Sequence, residues 1–179
     1  YTIYIRDIKS NEIITEKIEE TSGSITFSLD DKFIYYSKLD EHHRPRKIFR
    51  HKLGTSARED QLIFEEKSEA FTVGIGISSD EKYYFISTSD HNTSEQYYFD
   101  ADEENPKPKI IKRRKKGIIY SVNSWDGYFY NHTNENAEDF KIEFCDDILN
   151  QNWKSFIPAK DEVLIGGLVF LKDWIIRSE

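Results

Sequence analysis

The stretch SLDDKFIYYSKLD at residues 28–40 returns as SSDEKYYFISTSD at 78–90. Asp30-Asp31-Lys32 falls on Asp80-Glu81-Lys82, Ser37 on Ser87 and Asp40 on Asp90, an offset of fifty residues. Repetition at such a period constrains a fold more than composition does. Each repeat has to be one supersecondary unit that buries its apolar face on its neighbours. A looser copy, NSWDGYFYNHTN, stands at 123–134, and a last trace, LKDWIIRSE, at 171–179. Every copy has the same order: an apolar segment, a short acidic or glycine turn, then a run of Tyr, Phe and Ile. Asp and Gly supply turn conformations, and aromatic and β-branched residues favour strands. Each copy therefore opens with a β-hairpin.

Further strand signals follow each hairpin: 46–54 and 60–67 after the first, 94–102 and 107–114 after the second, 140–147 and 152–158 after the third. Four short strands in a repeat of roughly 45 to 50 residues predict a β-propeller blade. A sandwich shares the strand spacing but does not repeat at this period. No amphipathic helix stands out. In the nearest rival, 137–154, Phe140, Ile142 and Phe144 alternate at period two. The expected fold class is all-β, a fragment of a β-propeller. Complete blades are expected at 21–68, 69–116 and 117–160, with an outer half blade at 1–20 and an inner half blade at 161–179. The absence of Met and the strand-like start at Tyr1 add the expectation that the chain is a piece of something longer. Two outer strands at one end and two inner strands at the other would make one blade, so strand exchange between copies is expected.

Bulk numbers narrow the function classes. With 25 Lys+Arg against 33 Asp+Glu the net charge is -8, which repels phosphate backbones and anionic lipid. No apolar run is long enough to span a bilayer, and the N-terminus does not read as a signal peptide. No nucleic-acid or membrane partner is expected. Cys145 is the single cysteine, which points to a reducing compartment, the cytoplasm.

No candidate chemistry assembles. GTSAR at 54–58 lacks the second Gly of a hydrolase nucleophile elbow and reads as a blade-connecting loop. His42 and His43 beside Asp40 and Glu41, with His51 nearby, offer metal-ligand chemistry, but neighbouring side chains diverge and no further cluster completes a tetrahedron. His91 and His132 are isolated. Cys145 lies beside Asp146 and Asp147, whose charge raises a thiol pKa and suppresses its reactivity. The basic run IKRRKK at 111–116 reads as a solvated loop paired with the acidic DADEE at 100–104. GIGI at 74–77 lacks a phosphate-loop Lys-Ser/Thr and reads as small residues on a crowded inner strand. Asn92-Thr93-Ser94 and Asn131-His132-Thr133 match glycosylation sequons, which matter only on secretion. No catalytic, cofactor-binding or metal residue is expected, and no cofactor.

The run at 39–71 carries a more specific likeness. Asp40-Glu41, Arg44-Pro45, Arg50-His51, Leu53-Gly54-Thr55, Glu59-Asp60, Glu65-Glu66-Lys67 and Phe71 resemble the propeller domain of the prolyl oligopeptidase family of serine peptidases, in its oligopeptidase B branch. Thr93-Ser94-Glu95, Asp100-Ala101-Asp102, 152–158 and 20–27 extend the likeness over essentially the whole chain. The resemblance implies a seven-bladed parent propeller, within the usual range of blade numbers, joined to an α/β-hydrolase domain. That domain carries the Ser-Asp-His triad and the pockets for Arg or Lys. By the same resemblance the propeller gates the site, admitting short peptides and excluding folded proteins. Two other readings compete. One is a propeller scaffold that binds proteins. The other is a glycosidase built on a propeller, which needs paired inward carboxylates about 5 to 10 Å apart. Asp30/Asp31 and Asp80/Glu81 sit in turns, the wrong place for such a pair.

Overall fold

The computed structural model describes residues 1–14 and 17–179; residues 15 and 16 of the expected 1–20 segment lie outside the described residues. The chain is all-β. Strands β1 (Thr21–Phe27), β2 (Phe33–Leu39), β3 (Pro45–Lys52) and β4 (Gln61–Glu65) form one antiparallel sheet. Strands β5 (Thr72–Ile77), β6 (Tyr83–Ser89), β7 (Ser94–Asp100) and β8 (Lys109–Lys112) form a second. Strands β9 (Tyr120–Trp125), β10 (Tyr128–Thr133), β11 (Lys141–Cys145) and β12 (Lys154–Ile157) form a third. In each sheet the strands lie side by side in chain order, the arrangement of propeller blades. Strands β13 (Gly167–Leu171) and β14 (Trp174–Ser178) make a hairpin. Near the N-terminus the chain folds back through antiparallel bridges, Ile3 with Ile18 and Arg6 with Ile13. From residue 21 onward the strand signals read from sequence fall on strands, and β11 occupies the segment that was the nearest rival for a helix; among the described residues of 1–20, expected as two outer strands, only isolated bridges form.

The repeated phrase is a repeated turn. Ser28 Oγ donates to Asp30 Oδ1 at 2.7 Å and accepts the Phe33 N–H at 2.9 Å, while Asp30 also receives the Lys32 N–H at 3.2 Å. Fifty residues on, Ser78 Oγ donates to Asp80 Oδ1 at 2.7 Å and accepts the Tyr83 N–H at 3.0 Å, and Asp80 receives the Lys82 N–H at 3.3 Å. Asp31 and Glu81 take the same left-handed conformation, φ 55° and 58°. The Asp at the other end of each hairpin recurs for its own reason. Asp40 accepts the N–H groups of His42 and Arg44, each at 2.9 Å, and Asp90 those of Asn92 and Thr93 at 2.9 and 2.8 Å. These are Asx turns, in which a short carboxylate replaces a missing backbone acceptor. The third copy drops the cage. Trp125 pairs directly with Tyr128, and Asp126-Gly127 turns in two residues at φ 50° and 80°, the type I′ geometry that matches strand twist.

The unbroken apolar runs of the second strands follow from burial on both faces. Along β6, Tyr84 and Ile86 pack with Tyr35, Ile48, Val73 and Phe99 between the first and second sheets. Phe85, between them, points the other way and joins Tyr98, Ile111, Tyr120, Val122, Phe129 and Cys145 between the second and third. The same alternation holds along β2, where Ile34 and Tyr36 meet Ile3 and Ile18. Along β10, Tyr130 meets Ile142, Ile165 and Phe170 while Phe129 faces back. Each such side chain contributes about 1.5–3 kcal/mol on burial, so the sheets hold one another rather than standing alone.

Candidate functional site

The residues that sequence singled out are dispersed. Gly54–Arg58 lies within the first sheet, between β3 and β4, and not between blades as expected. Its Ser56 Oγ accepts the Arg58 N–H at 3.3 Å and caps one turn of 3₁₀ helix, Ala57–Glu59. His42 and His43 are exposed in the β2–β3 turn, whereas His51 is buried at the far end of β3. Among the described residues no group of three or more His, Cys, Asp or Glu is placed to hold a metal ion. His132 donates its Nε2–H to the Ile165 carbonyl at 2.7 Å and stacks on Phe140. Cys145 is buried; desolvation, aided by Asp146 and Asp147, pushes its thiol up to about 11. Asn131, the second sequon, is buried on β10. A Cβ at Gly74 or Gly76 would meet nothing within 4 Å. Crowding therefore does not account for the GIGI stretch in this chain.

The basic run is the clearest correction. Its partners are Glu66, Glu95 and Glu135, not the acidic residues at 100–104. Lys112 and Lys115 both pair with Glu135, on the β10–β11 turn. Arg114 turns inward: its guanidinium donates to Glu66 Oε2 at 2.6 Å and Glu95 Oε1 at 2.9 Å and lies over the Phe71 ring at 4.0 Å. The Arg114 N–H donates to Glu95 Oε2 at 2.7 Å, and the Tyr97 hydroxyl to Glu95 Oε1 at 2.7 Å. Burial works to raise the Glu95 carboxyl, but the Arg114 hydrogen bonds outweigh it and hold it below the usual value. The node ties the connector after the first sheet to the connector after the second. Spacing could not reveal it, because Glu66 and Arg114 are 48 residues apart.

A second polar cluster lies at the opposite ends of the strands. Asp60 accepts the Tyr36 hydroxyl at 2.8 Å and faces His51 Nδ1 at 2.6 Å. Burial, and then Asp60, raises the Tyr36 phenol. The His51 and Asp60 side chains are 0% and 2% exposed, so this Tyr-Asp-His arrangement holds the β3–β4 loop and cannot touch a substrate. Between the second and third sheets, side chains of β7 bind the backbone of β9. Ser94 Oγ donates to the Tyr120 carbonyl and accepts its N–H, at 2.8 and 2.7 Å. Gln96 Oε1 accepts the Val122 N–H at 2.6 Å. A groove of about 620 Å³ opens between the first two sheets, walled by Phe33 and Tyr35 on one side and residues 101–105 on the other. Arg50 crosses it, stacked over Phe33 and donating to the Glu104 carbonyl at 2.8 Å. The Tyr36-Asp60-His51 group braces the first sheet from within and the others fix sheet against sheet; none sets an accessible nucleophile beside a base.

Comparison with known proteins agrees with this geometry. The family described as "Prolyl oligopeptidase, N-terminal beta-propeller domain" matches residues 1–179. Protease 2 of Moraxella lacunata is 32% identical over 181 residues, covering 93% of this chain and 26% of that protein. Dipeptidyl aminopeptidase BI of Pseudoxanthomonas mexicana is 25% identical, covering 100% of this chain and 25% of that protein. Among solved structures, oligopeptidase B from Leishmania major superposes with a TM-score of 0.88 at 24% identity, covering 94% of this chain and 24% of that one. The chain thus spans about a quarter of the length of the curated relatives it matches. With its sheets, its inter-sheet cores and its match over every residue, the chain belongs to the prolyl oligopeptidase N-terminal β-propeller family.

Proposed function

We propose that this chain is the non-catalytic, gating part of a serine oligopeptidase whose parent hydrolyses short peptides after Arg or Lys. Its partner is an α/β-hydrolase domain of the same parent chain. The observation that carries the reading is the family match over residues 1–179 together with the 32% identity to Protease 2. The physical role is size selection. Sheets packed face to face through buried Tyr, Phe and Ile make a stiff wall, and a ring of such walls excludes a folded protein while an extended peptide passes. The proposed blades are 21–68, 69–116 and 117–160, with half blades at 1–20 and 161–179, in a reducing, cytoplasmic setting. Self-association belongs to the same proposal. Hairpin β13–β14 packs Leu168, Phe170 and Ile175 inward, while Val169, Leu171, Trp174 and Ile176 of its other face are exposed.

The test uses the chain alone and joined to its flanking coding sequence. The chain alone is expected to leave fluorogenic Arg and Lys peptides intact, and the longer product to cleave them in an inhibitor-sensitive way while sparing a folded protein. A flanking sequence without a hydrolase domain, or a parent that degrades folded proteins as fast as peptides, overturns the reading. Sedimentation velocity tests the self-association: a strict monomer at high concentration sinks that part alone.

A further inference from the structure

The cations that the Arg114 node leaves over form a strip. Residues 107–116 carry Lys107, Lys109, Lys112, Arg113, Arg114, Lys115 and Lys116. Arg114 is turned into its carboxylate pocket, and Lys112 and Lys115 share the single carboxylate of Glu135. Lys107, Lys109, Arg113 and Lys116 pair with no carboxylate among the described residues, although Asp102 and Glu104 stand exposed in the loop just before them. Lys107, Lys109 and Arg113 are exposed, as are Lys115 and Lys116. Strand β8 is the edge of its sheet. Lys on an edge strand blunts chance pairing, but Lys107 and Arg113 to Lys116 lie outside the strand, where that need does not arise. The sign of the strip is also the reverse of the net charge of -8 carried by the whole chain.

We infer that this strip along β8 and its following connector is a docking surface for an acidic, extended polypeptide segment. Charge complementarity selects the partner. Lys107 stands just before β8, Lys109 in it, and Arg113 and Lys116 just after it, so the cations follow the chain as a row, as carboxylates do along an extended peptide. A nucleic acid is disfavoured: the rest of the surface repels phosphates, and the aromatic ring beside the strip, Tyr98, is buried beneath Lys109 and offers no stacking platform. Recognition is by side-chain charge rather than strand addition. The Ile111 carbonyl already accepts the Gln151 side chain and the Lys112 carbonyl the Tyr120 hydroxyl, which closes that part of the β8 edge.

The 179-residue chain is titrated by fluorescence anisotropy into a labelled decapeptide of alternating Glu and Thr. The parallel probes are its Lys counterpart, a version with a central Pro, and a single-stranded oligonucleotide. Binding of the Glu peptide is expected, weakening steeply with added salt and tolerating Pro. The combined variant K107E/K109E/R113E/K116E is expected to bind at least about tenfold more weakly, since like charge opposes approach. The variant K107Q/K109Q/R113Q/K116Q should show an intermediate loss. These side chains make no ion pair, and circular dichroism verifies the fold. No binding of the Glu peptide at low salt, unchanged affinity in the charge-reversed variant, or tighter binding of the oligonucleotide than of the peptide overturns the proposal. Equal binding of the Glu and Lys peptides also overturns it.

Discussion

Replacing Arg114 by Ala removes the one cation shared by two nearly buried carboxylates. The Glu66 and Glu95 side chains are 4% and 6% exposed, and Arg114 is 26% exposed. Losing one partner of a buried pair costs about 3–5 kcal/mol, because the remaining charge is left without compensation. Loss of the contact over Phe71 adds about 0.5–1 kcal/mol. Water reaching the vacated, partly open site offsets some of this, so the expected loss is about 3 kcal/mol. In urea, with a slope of about 2–3 kcal/mol/M, the unfolding midpoint falls by roughly 1 M. Trp125, Trp153 and Trp174 supply the fluorescence signal. Arg114→Lys keeps the charge but not the fork that spans both carboxylates, so it should fall between the two.

The pH dependence separates this account from simple loss of packing. The folded Glu95 carboxyl is held below its usual value. Its contribution is therefore fully present above the unfolded carboxylate range and is lost as pH falls through the lowered folded value. In Arg114→Ala burial, which works to raise the Glu95 carboxyl, is no longer outweighed by the Arg114 guanidinium, and Glu95 takes up a proton more readily on acidification. The stability gap between the two proteins is thus widest near neutral pH and narrows as pH falls toward 4. A midpoint shift below about 0.3 M at pH 7 would refute the buried-node reasoning. So would a gap that stays constant with pH.

The turns and the thiol give further expectations. Ser78→Ala removes the hydroxyl that accepts the Tyr83 N–H and orients Asp80, a loss of about 1–2 kcal/mol in thermal melts. Ser28→Ala, in the same cage, should cost about as much, and clearly unequal losses would contradict the equivalence of the two turns. Gly127→Ala places a Cβ at φ 80° and should destabilise by about 1 kcal/mol or more, whereas Asp31→Gly at φ 55° should be neutral or better. Cys145, buried with its thiol pushed up to about 11, should react with a disulfide reagent at pH 8 only as fast as the chain unfolds. A fast reaction in native buffer would show that the thiol is reachable.

What sequence reveals about this chain, and what it hides, divides along the range of the interactions. Hairpins are local: Ser28, Asp30 and Phe33 sit within six residues, so the cage that closes the turn is spelled out in one phrase and recognised when it returns at Ser78, Asp80 and Tyr83. Two-sided burial is nearly as legible, since a strand such as FIYY with no polar alternate has to be covered on both faces. The fold class follows from those two signals and the period. The charged nodes obey no such rule. Arg114 meets Glu66 and Glu95 because neighbouring sheets bring two connectors and the start of β7 to one corner. Nothing in RRKK distinguishes the one inward side chain from its solvated neighbours. Local composition instead paired the basic run with the nearest acidic loop at 100–104, and tertiary contact paired it with Glu135 and the buried corner. The GIGI stretch went astray for a related reason: small residues on a strand suggest close approach, but what approaches is decided by other segments, and here a Cβ would meet open space. In this chain turns and strands are therefore written locally, while the contacts that fix one sheet against the next join residues well apart in sequence, 26 for Ser94 and Tyr120 and 48 for Glu66 and Arg114. Those contacts are also where a single substitution, such as Arg114→Ala, would loosen one sheet from the next.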